Sequence, residues 1–212
     1  MRINPYVPFS SKILEVIPHT EKEYTFRMEF EGEVKPGQFF EVSIPKFGEA
    51  PISVSGISPK SIDLTIRRVG RVTDEVFENY AGDTLFLHGP YGNGFDVNKY
   101  IDGECLVVAG GTGVSPVRGV IDALSESKDA KDKHIILGFK SPSDMLFRED
   151  IARWEKSMDL ILTMDKEAKG YSGNVGLVTK FIPDVKLNNL ETTQAVVVGP
   201  PPMMKFSVIE LL

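Results

Sequence analysis

The chain has 212 residues, room for one large domain or two small ones, and its 42% hydrophobic and 25% charged content is that of an ordinary globular protein. A net charge of -6 argues against a nucleic-acid-binding face, which needs clustered Lys and Arg. No apolar run approaches a membrane span and the first residues lack the apolar core of a signal sequence, so a cytoplasmic location is expected.

From the N-terminus, short β-rich runs at 12–17, 24–30, 39–44, 51–55, 62–68 and 84–87 predict strands. Pro36-Gly37, the stretch 45–48, Gly56 and Ser58-Pro59 supply turns between them. Several short strands at this spacing predict a closed antiparallel barrel. One short helix interrupts, with Thr73 as N-cap and Asp74, Glu75, Val76, Phe77 and Tyr80 following. The Gly-rich stretch that begins at Gly92 suits a domain junction, dividing the chain into residues 1–97 and 98–212.

Beyond Tyr100 the period changes. Apolar strands at 106–109, 135–138, 160–164 and 195–198 alternate with helical patterns at 117–125, 147–156, 175–181 and 203–212. Alternation of this kind predicts a parallel sheet with helices on both faces. The single cysteine, Cys105, reads as a small buried hydrophobe. His19, His88 and His134 lie far apart with no metal-ligand spacing, so no metal site is expected. The last helical pattern ends without a Gly, Asn or Pro stop, and a missing C-terminal piece is the expectation.

The most informative segment runs from Leu106 to Pro116. A buried strand ends in Gly110-Gly111-Thr112-Gly113 and a helix follows at once. In such a turn, backbone N–H groups and a helix N-terminus face an anionic ligand, and glycine lets a pyrophosphate approach closely. A nucleotide is one reading; the close of an ordinary α/β unit is the other.

Further motifs stand in order along the chain: Ala50-Pro51-Ile52-Ser53-Val54-Ser55, Arg67-Arg68-Val69-Gly70-Arg71-Val72-Thr73, Gly89-Pro90-Tyr91-Gly92-Asn93-Gly94-Phe95, and Val198-Gly199-Pro200-Pro201-Pro202-Met203-Met204. With the glycine turn, this ordered set resembles the ferredoxin–NADP reductase superfamily. Within it the likeness is greatest to the reductase (B) subunits of anaerobic sulfite reductases, carried by residues 36–43, 49–56 and 65–73. Electron-transfer subunits of dihydroorotate dehydrogenases and gamma subunits of sulfhydrogenases have similar architecture. Such proteins continue into a cysteine-rich segment that binds a two-iron–two-sulfur cluster, so a cluster is implied only if the chain runs on past Leu212.

The resemblance implies a barrel that binds FAD and an α/β domain that binds NADH, with NADPH an alternative. Ser53 is implied as the catalytic group, its hydroxyl beside flavin N5, with Pro51 and Ile52 against the ring. Ile66, Arg67, Gly70, Arg71, Val72 and Thr73 form the second flavin segment, and Arg67 is the first choice for the phosphate, with Arg68 and Arg71 competing. Strand alternation sends Arg67 and Arg68 to opposite faces. Asp74 and Glu75 suit the helix dipole but repel a phosphate. Ala50 departs from the arginine that many members carry there.

On the nucleotide side the implied residues are Gly110, Gly111, Thr112, Gly113, Gly138, Lys140, Asp165, Gly199 and Pro200. No acid ends the strand before Lys140 to hold a free ribose hydroxyl, and Lys140 suits a 2′-phosphate. The implied partners are NAD(P)H and the catalytic and iron–sulfur subunits of a reductase complex, sulfite reductase first, a dihydroorotate dehydrogenase or hydrogenase next. A binding module that has lost FAD is the reading from another class, motivated by Ala50.

Overall fold

The computed structural model describes residues 6–79 and 84–212. Tyr80, placed by the sequence in the barrel helix, lies outside the described residues. The chain divides into two compact units, with the boundary between Phe95 and Asp96.

In the first unit, β1 (Phe9–Pro18), β2 (Glu23–Glu29), β3 (Phe39–Ile44), β4 (Gly48–Ser58), β5 (Ser61–Arg67) and β6 (Thr84–Tyr91) close a barrel in the order β1-β2-β5-β4-β3-β6, every pair antiparallel. Alternation does the sorting. Phe26, Met28, Phe40, Val42, Val54, Ile62, Leu64, Ile66, Leu85 and Leu87 point inward and are buried, each contributing about 1.5–3 kcal/mol of hydrophobic stabilisation. Helix α1 (Arg71–Asn79) adds Val76 and Phe77 to this core, and Phe77 lies 4.7 Å from the Tyr24 ring.

That helix starts at Arg71, three residues before the Asp74 start that Thr73 as N-cap implies. Thr73 instead sits in the first turn. Its hydroxyl donates to the Gly70 carbonyl and accepts from the Val69 and Gly70 N–H groups. It caps the preceding turn from inside the helix, which the preference for Thr at helix starts does not distinguish from an N-cap.

The second unit opens with the short α2 (Asn98–Ile101), then forms a parallel sheet in the order β10-β9-β8-β7-β11. Its strands are β7 (Cys105–Gly110), β8 (Lys133–Phe139), β9 (Asp159–Met164), β10 (Asn174–Val175) and β11 (Gln194–Val198). Leu106, Val108 and Ile136 pack with Val178, Phe181 and Ile182 and with Met203 and Leu211 of α5 (Pro201–Leu211) on one face. Helix α3 (Val114–Ser125) lies against β7 and β8 through Val117, Val120, Ile121 and Leu124, and α4 (Arg148–Trp154) packs on α3. Among the described residues no helix is long and apolar enough to cross a membrane.

Two expectations fail locally. The helix expected over 175–181 is instead the end of β10 followed by a 3-10 helix, Val178–Asp184. Gly176 at φ +139 breaks the start and Pro183 lies inside the turn, so the i→i−4 ladder has neither a nucleus nor room. The helix expected over 203–212 starts two residues sooner: Pro201 and Pro202 are the first two residues of α5, where their missing N–H groups cost nothing.

Glu104, just before β7, fastens the loop leading into β11. Its carboxylate accepts from the Asn188 and Asn189 N–H groups at 2.8–3.1 Å and from the Thr193 hydroxyl at 2.7 Å. Desolvation pushes its pKa up, but the Thr193, Asn188 and Asn189 bonds, with His134 nearby, outweigh it and hold the carboxyl at about 2. A depressed carboxylate stabilises the fold above its unfolded pKa near 4.5, and the contribution is lost as pH falls from there through about 2. Glu104→Gln should therefore lower stability at pH 7 by roughly 1–3 kcal/mol and flatten the urea-unfolding free energy between those two pH values. An unchanged acid profile would count against this clip.

Candidate functional site

The barrel carries a defined opening. β4 is paired with β3 along residues 48–53, Ser53 opposite Phe39 and Ala50 opposite Val42. On its other edge, pairing with β5 starts only at Val54, opposite Leu64. Below that point β5 pairs with β2 and leads through Arg68, Val69 and Gly70 into α1. The first half of β4 thus faces a slot whose other wall is the end of β5 and the start of α1. Pro51 is exposed on one wall, Ser53 is half-buried, and Ile52 leans into the barrel core. Ile66 lies fully in the core, so what it can offer a ligand is its backbone.

Three arginines surround the slot, and the structure separates them. Arg67, the first choice for a phosphate, lies beside its cross-strand partner Glu23, Nε to Oε1 at 3.1 Å. Arg68 leaves the opposite face and pairs with Asp74 at 3.0 Å and with Glu78. This second pairing also neutralises Asp74, the acid expected to repel a phosphate. Arg71 donates to the Lys46 carbonyl at 3.0 Å and lies 5.4 Å over the Phe47 ring. None of these contacts involves a carboxylate, so its charge stays available.

The turn that holds Arg71 is strained in a useful way. Lys46 takes φ +72, and Gly48 takes φ +118 with Val72 close by. The α1 backbone bond from Asp74 N–H to Gly70 O is its first, which leaves the N–H groups of Arg71, Val72 and Thr73 without intrahelical acceptors. Those donors, the helix dipole and Arg71 suit a diphosphate in number and sign. Lys46 and Phe47 were not legible as site residues, because nothing in a Pro-Lys-Phe-Gly turn distinguishes it from an ordinary hairpin.

In the second unit the expected residues all come to the C-terminal edge of the parallel sheet. They follow β7 (Gly111, Thr112, Gly113), β8 (Lys140), β9 (Asp165) and β11 (Gly199, Pro200). Successive strands run from β7 toward β10 on one side while β11 lies on the other, so the β7 and β11 turns flank the point where strand order reverses, the usual ligand crevice of such sheets. Residues Gly111–Gly113 form a 3-10 turn that runs straight into α3.

The glycines do not share one reason. Among the glycines expected at this edge of the sheet, Gly111 alone combines a positive φ, +57, with open space around the position of a Cβ. At Gly110 that space is filled by Met203 Sδ, at Gly138 by Val178, and at Gly113 by the Val198 carbonyl and Gly199. Room for close approach of a ligand remains at Gly111 alone; Gly110, Gly113 and Gly138 are required by packing, which corrects the expectation that these glycines all serve a ligand. The turn after Phe139 also brings an acid that strand-end inspection missed. Ser141 donates to Asp144, and Lys140 is exposed beside them.

Neither histidines nor the cysteine join these sites. Cys105 is fully buried and its thiol is raised to about 11, chiefly by desolvation. His134 sits between Glu104 and Asp159, and His88 between Glu49 and the Tyr91 hydroxyl.

Residues 107–208 match the family described as the oxidoreductase NAD-binding domain. The sulfhydrogenase 2 subunit gamma of Pyrococcus furiosus is 34% identical across 99% of this chain and 80% of its own length. The probable dihydroorotate dehydrogenase B (NAD(+)) electron transfer subunit of Thermoplasma volcanium is 30% identical across 95% of this chain and 72% of its own. A ferredoxin reductase in carbazole 1,9a-dioxygenase superposes with a TM-score of 0.81 at 22% identity, over 97% of this chain and 65% of that one. The fold and these relatives agree: the chain belongs to the ferredoxin–NADP reductase-like superfamily of oxidoreductases.

Proposed function

We propose that the chain is the reductase subunit of an electron-transfer complex, taking hydride from NADH onto FAD and passing electrons to a partner protein. The slot between β4 and the β5–α1 segment carries this reading, because it offers a flat apolar wall, a hydroxyl and a free cationic diphosphate site in one place. Ser53 would hold the reactive edge of the flavin, Pro51 and Ile52 would press on the ring and exclude water, and Arg71 with the N–H groups of Val72 and Thr73 would hold the diphosphate. Gly111, Thr112 and Gly113 would receive the dinucleotide's diphosphate, with Asp165, Gly199 and Pro200 bordering it. When bound, the flavin supplies the means to accept a hydride and release single electrons. The protein's own task is orientation at roughly 3–3.5 Å and dryness, so no His or carboxylate pair is needed.

Asp144 supports NADH, since a carboxylate at this turn accepts from a ribose hydroxyl. Lys140 favours NADPH as the second reading. The acceptor is proposed as a sulfite-reductase-type partner, with dihydroorotate dehydrogenase and hydrogenase complexes as alternatives suggested by the relatives' names. A chain that works on such a dinucleotide belongs in the cytoplasm, and that location is part of the proposal.

The test is direct. Protein mixed with excess FAD and desalted should be yellow and should bleach anaerobically with NADH, faster than with NADPH. Protein that stays colourless would favour the module that has lost FAD.

A further inference from the structure

The proposed function leaves unused a network of charged side chains between α3 and α4. Arg118 Nε donates to Asp150 Oδ2 at 2.8 Å, and both side chains are 18% exposed. The Arg118 guanidinium also lies 5.0 Å over the Phe147 ring. One turn further along each helix, Asp122 accepts from Trp154 Nε1 at 2.9 Å and pairs with Arg153, which reaches back to Asp150. The contacts advance by four residues on both helices, from 118 to 122 and from 150 to 154, so α3 and α4 run side by side in one direction. Their N-terminal ends therefore lie together, and each follows a turn of the proposed dinucleotide site: Gly111–Gly113 before α3, and residues 140–147 before α4.

The second of these turns is held from α4. Arg148 Nη2 donates to the Pro142 carbonyl, the Asp144 N–H to the Ser141 carbonyl at 3.0 Å, and the Ser141 hydroxyl to the Asp144 carboxylate. Phe147 joins the turn to the helix. It is 5% exposed and takes a left-handed φ of +51, a conformation that is costly for a side chain of its size. Its surroundings hold it there: the ring lies under Arg118, and its carbonyl takes the Ile151 N–H at 2.9 Å. Desolvation pushes the Asp150 carboxyl up, but the bonds from Arg118 and Arg153 outweigh it and hold it below its ordinary value, so the brace stays charged.

We infer that Arg118 is a positioning residue for the dinucleotide: it sets the Asp144 turn against the glycine turn and so governs recognition of the adenosine ribose without touching it. The inference rests on the reading of Asp144 as the acceptor of a ribose hydroxyl. Arg118 stands on the first full turn of the helix that the glycine turn starts, and it grips Phe147 and Asp150 at the start of the helix that follows the Asp144 turn. Without the guanidinium, the left-handed Phe147 loses its cover and Asp150 one of its two cations. The start of α4 then relaxes, and Arg148 carries Pro142 and Asp144 with it. The glycine turn stays where it is, because Gly113 packs on the Val198 carbonyl and Gly199 at the end of β11. The loss falls on the ribose contact alone.

The first measurement needs no ligand. In Arg118→Met the Ile151 amide should exchange with deuterium about tenfold faster than in wild type, whereas Arg153→Met, which spares the Arg118–Asp150 bond, should leave it within about twofold. The second compares NADH with its analogue lacking the 2′-hydroxyl of the adenosine ribose, by calorimetric titration. Wild type should prefer NADH about tenfold, as one hydrogen bond to a carboxylate supplies. Arg118→Met should bind NADH about tenfold more weakly and the analogue within about twofold of wild type, so the preference vanishes. Arg118→Lys, which can still pair with Asp150, should keep most of it. An arginine that served stability alone would weaken both ligands alike. If Arg118→Met does not fold, Asp150→Asn breaks the brace from the other side and carries both measurements. Unchanged Ile151 exchange, equal losses for the two dinucleotides, or a preference kept intact in Arg118→Met overturns the positioning role. Wild type that binds neither ligand, or both alike, would overturn the Asp144 reading itself, and the Ile151 exchange tells that outcome from a failure of the brace.

Discussion

Arg71→Met should raise the dissociation constant for FAD about 10–100-fold, whereas Arg67→Met should change it by no more than about threefold. The contrast follows from what each guanidinium already touches. Arg67 lies against Glu23, so a phosphate would have to compete with a carboxylate for it. Arg71 gives up only one carbonyl bond and a ring contact, and a charge-assisted fork on a phosphate is about twice as strong as a neutral bond. Methionine keeps the apolar stem over Phe47, which limits the loss to charge. The sharper experiment is rescue: Ala50→Arg on the Arg71→Met background restores a cation on the other wall of the slot and should recover most of the affinity. Fluorescence quenching on titration with FAD measures all four proteins. Tight binding by Arg71→Met, or loss on Arg67→Met, would return the diphosphate to Arg67.

How far the chain's own residues announce this arrangement depends on the range of the interaction. The strands of both units and the order of motifs are visible because apolar alternation and glycine turns are local signals. Thr73, the start of α1 and the helix expected at 175–181 go astray where two local geometries share one residue preference. The arginines cannot be ranked at all from sequence. That Glu23 faces Arg67 depends on the register between β2 and β5, 44 residues apart, and no local rule contains it. Asp144 escapes for a smaller reason: it reaches the end of β8 only because a 3-10 turn at Pro142–Asp144 folds it back.

The glycine turn after β7 is where reading by motif and reading by packing diverge most, and two alanine substitutions separate them. Gly113→Ala would set a methyl 2.6 Å from the Val198 carbonyl oxygen and 2.9 Å from the Gly199 Cα. Both neighbours are backbone of the β11–α5 turn, with no flexible side chain to yield. Either β7 and β11 shift apart or α3 starts differently, and about 3 kcal/mol should be lost, lowering the melting temperature by more than about 10 °C. Gly111→Ala meets no atom within 4 Å and suffers only from its φ of +57, a cost of about 1–2 kcal/mol. Its methyl stands where a diphosphate would approach, so NADH affinity measured by calorimetric titration should fall at least tenfold although the fold survives. Gly113→Ala that melts like wild type would mean the β11 turn is looser than its contacts imply. Gly111→Ala that binds NADH undiminished would remove the ligand from this turn and leave all its glycines to packing.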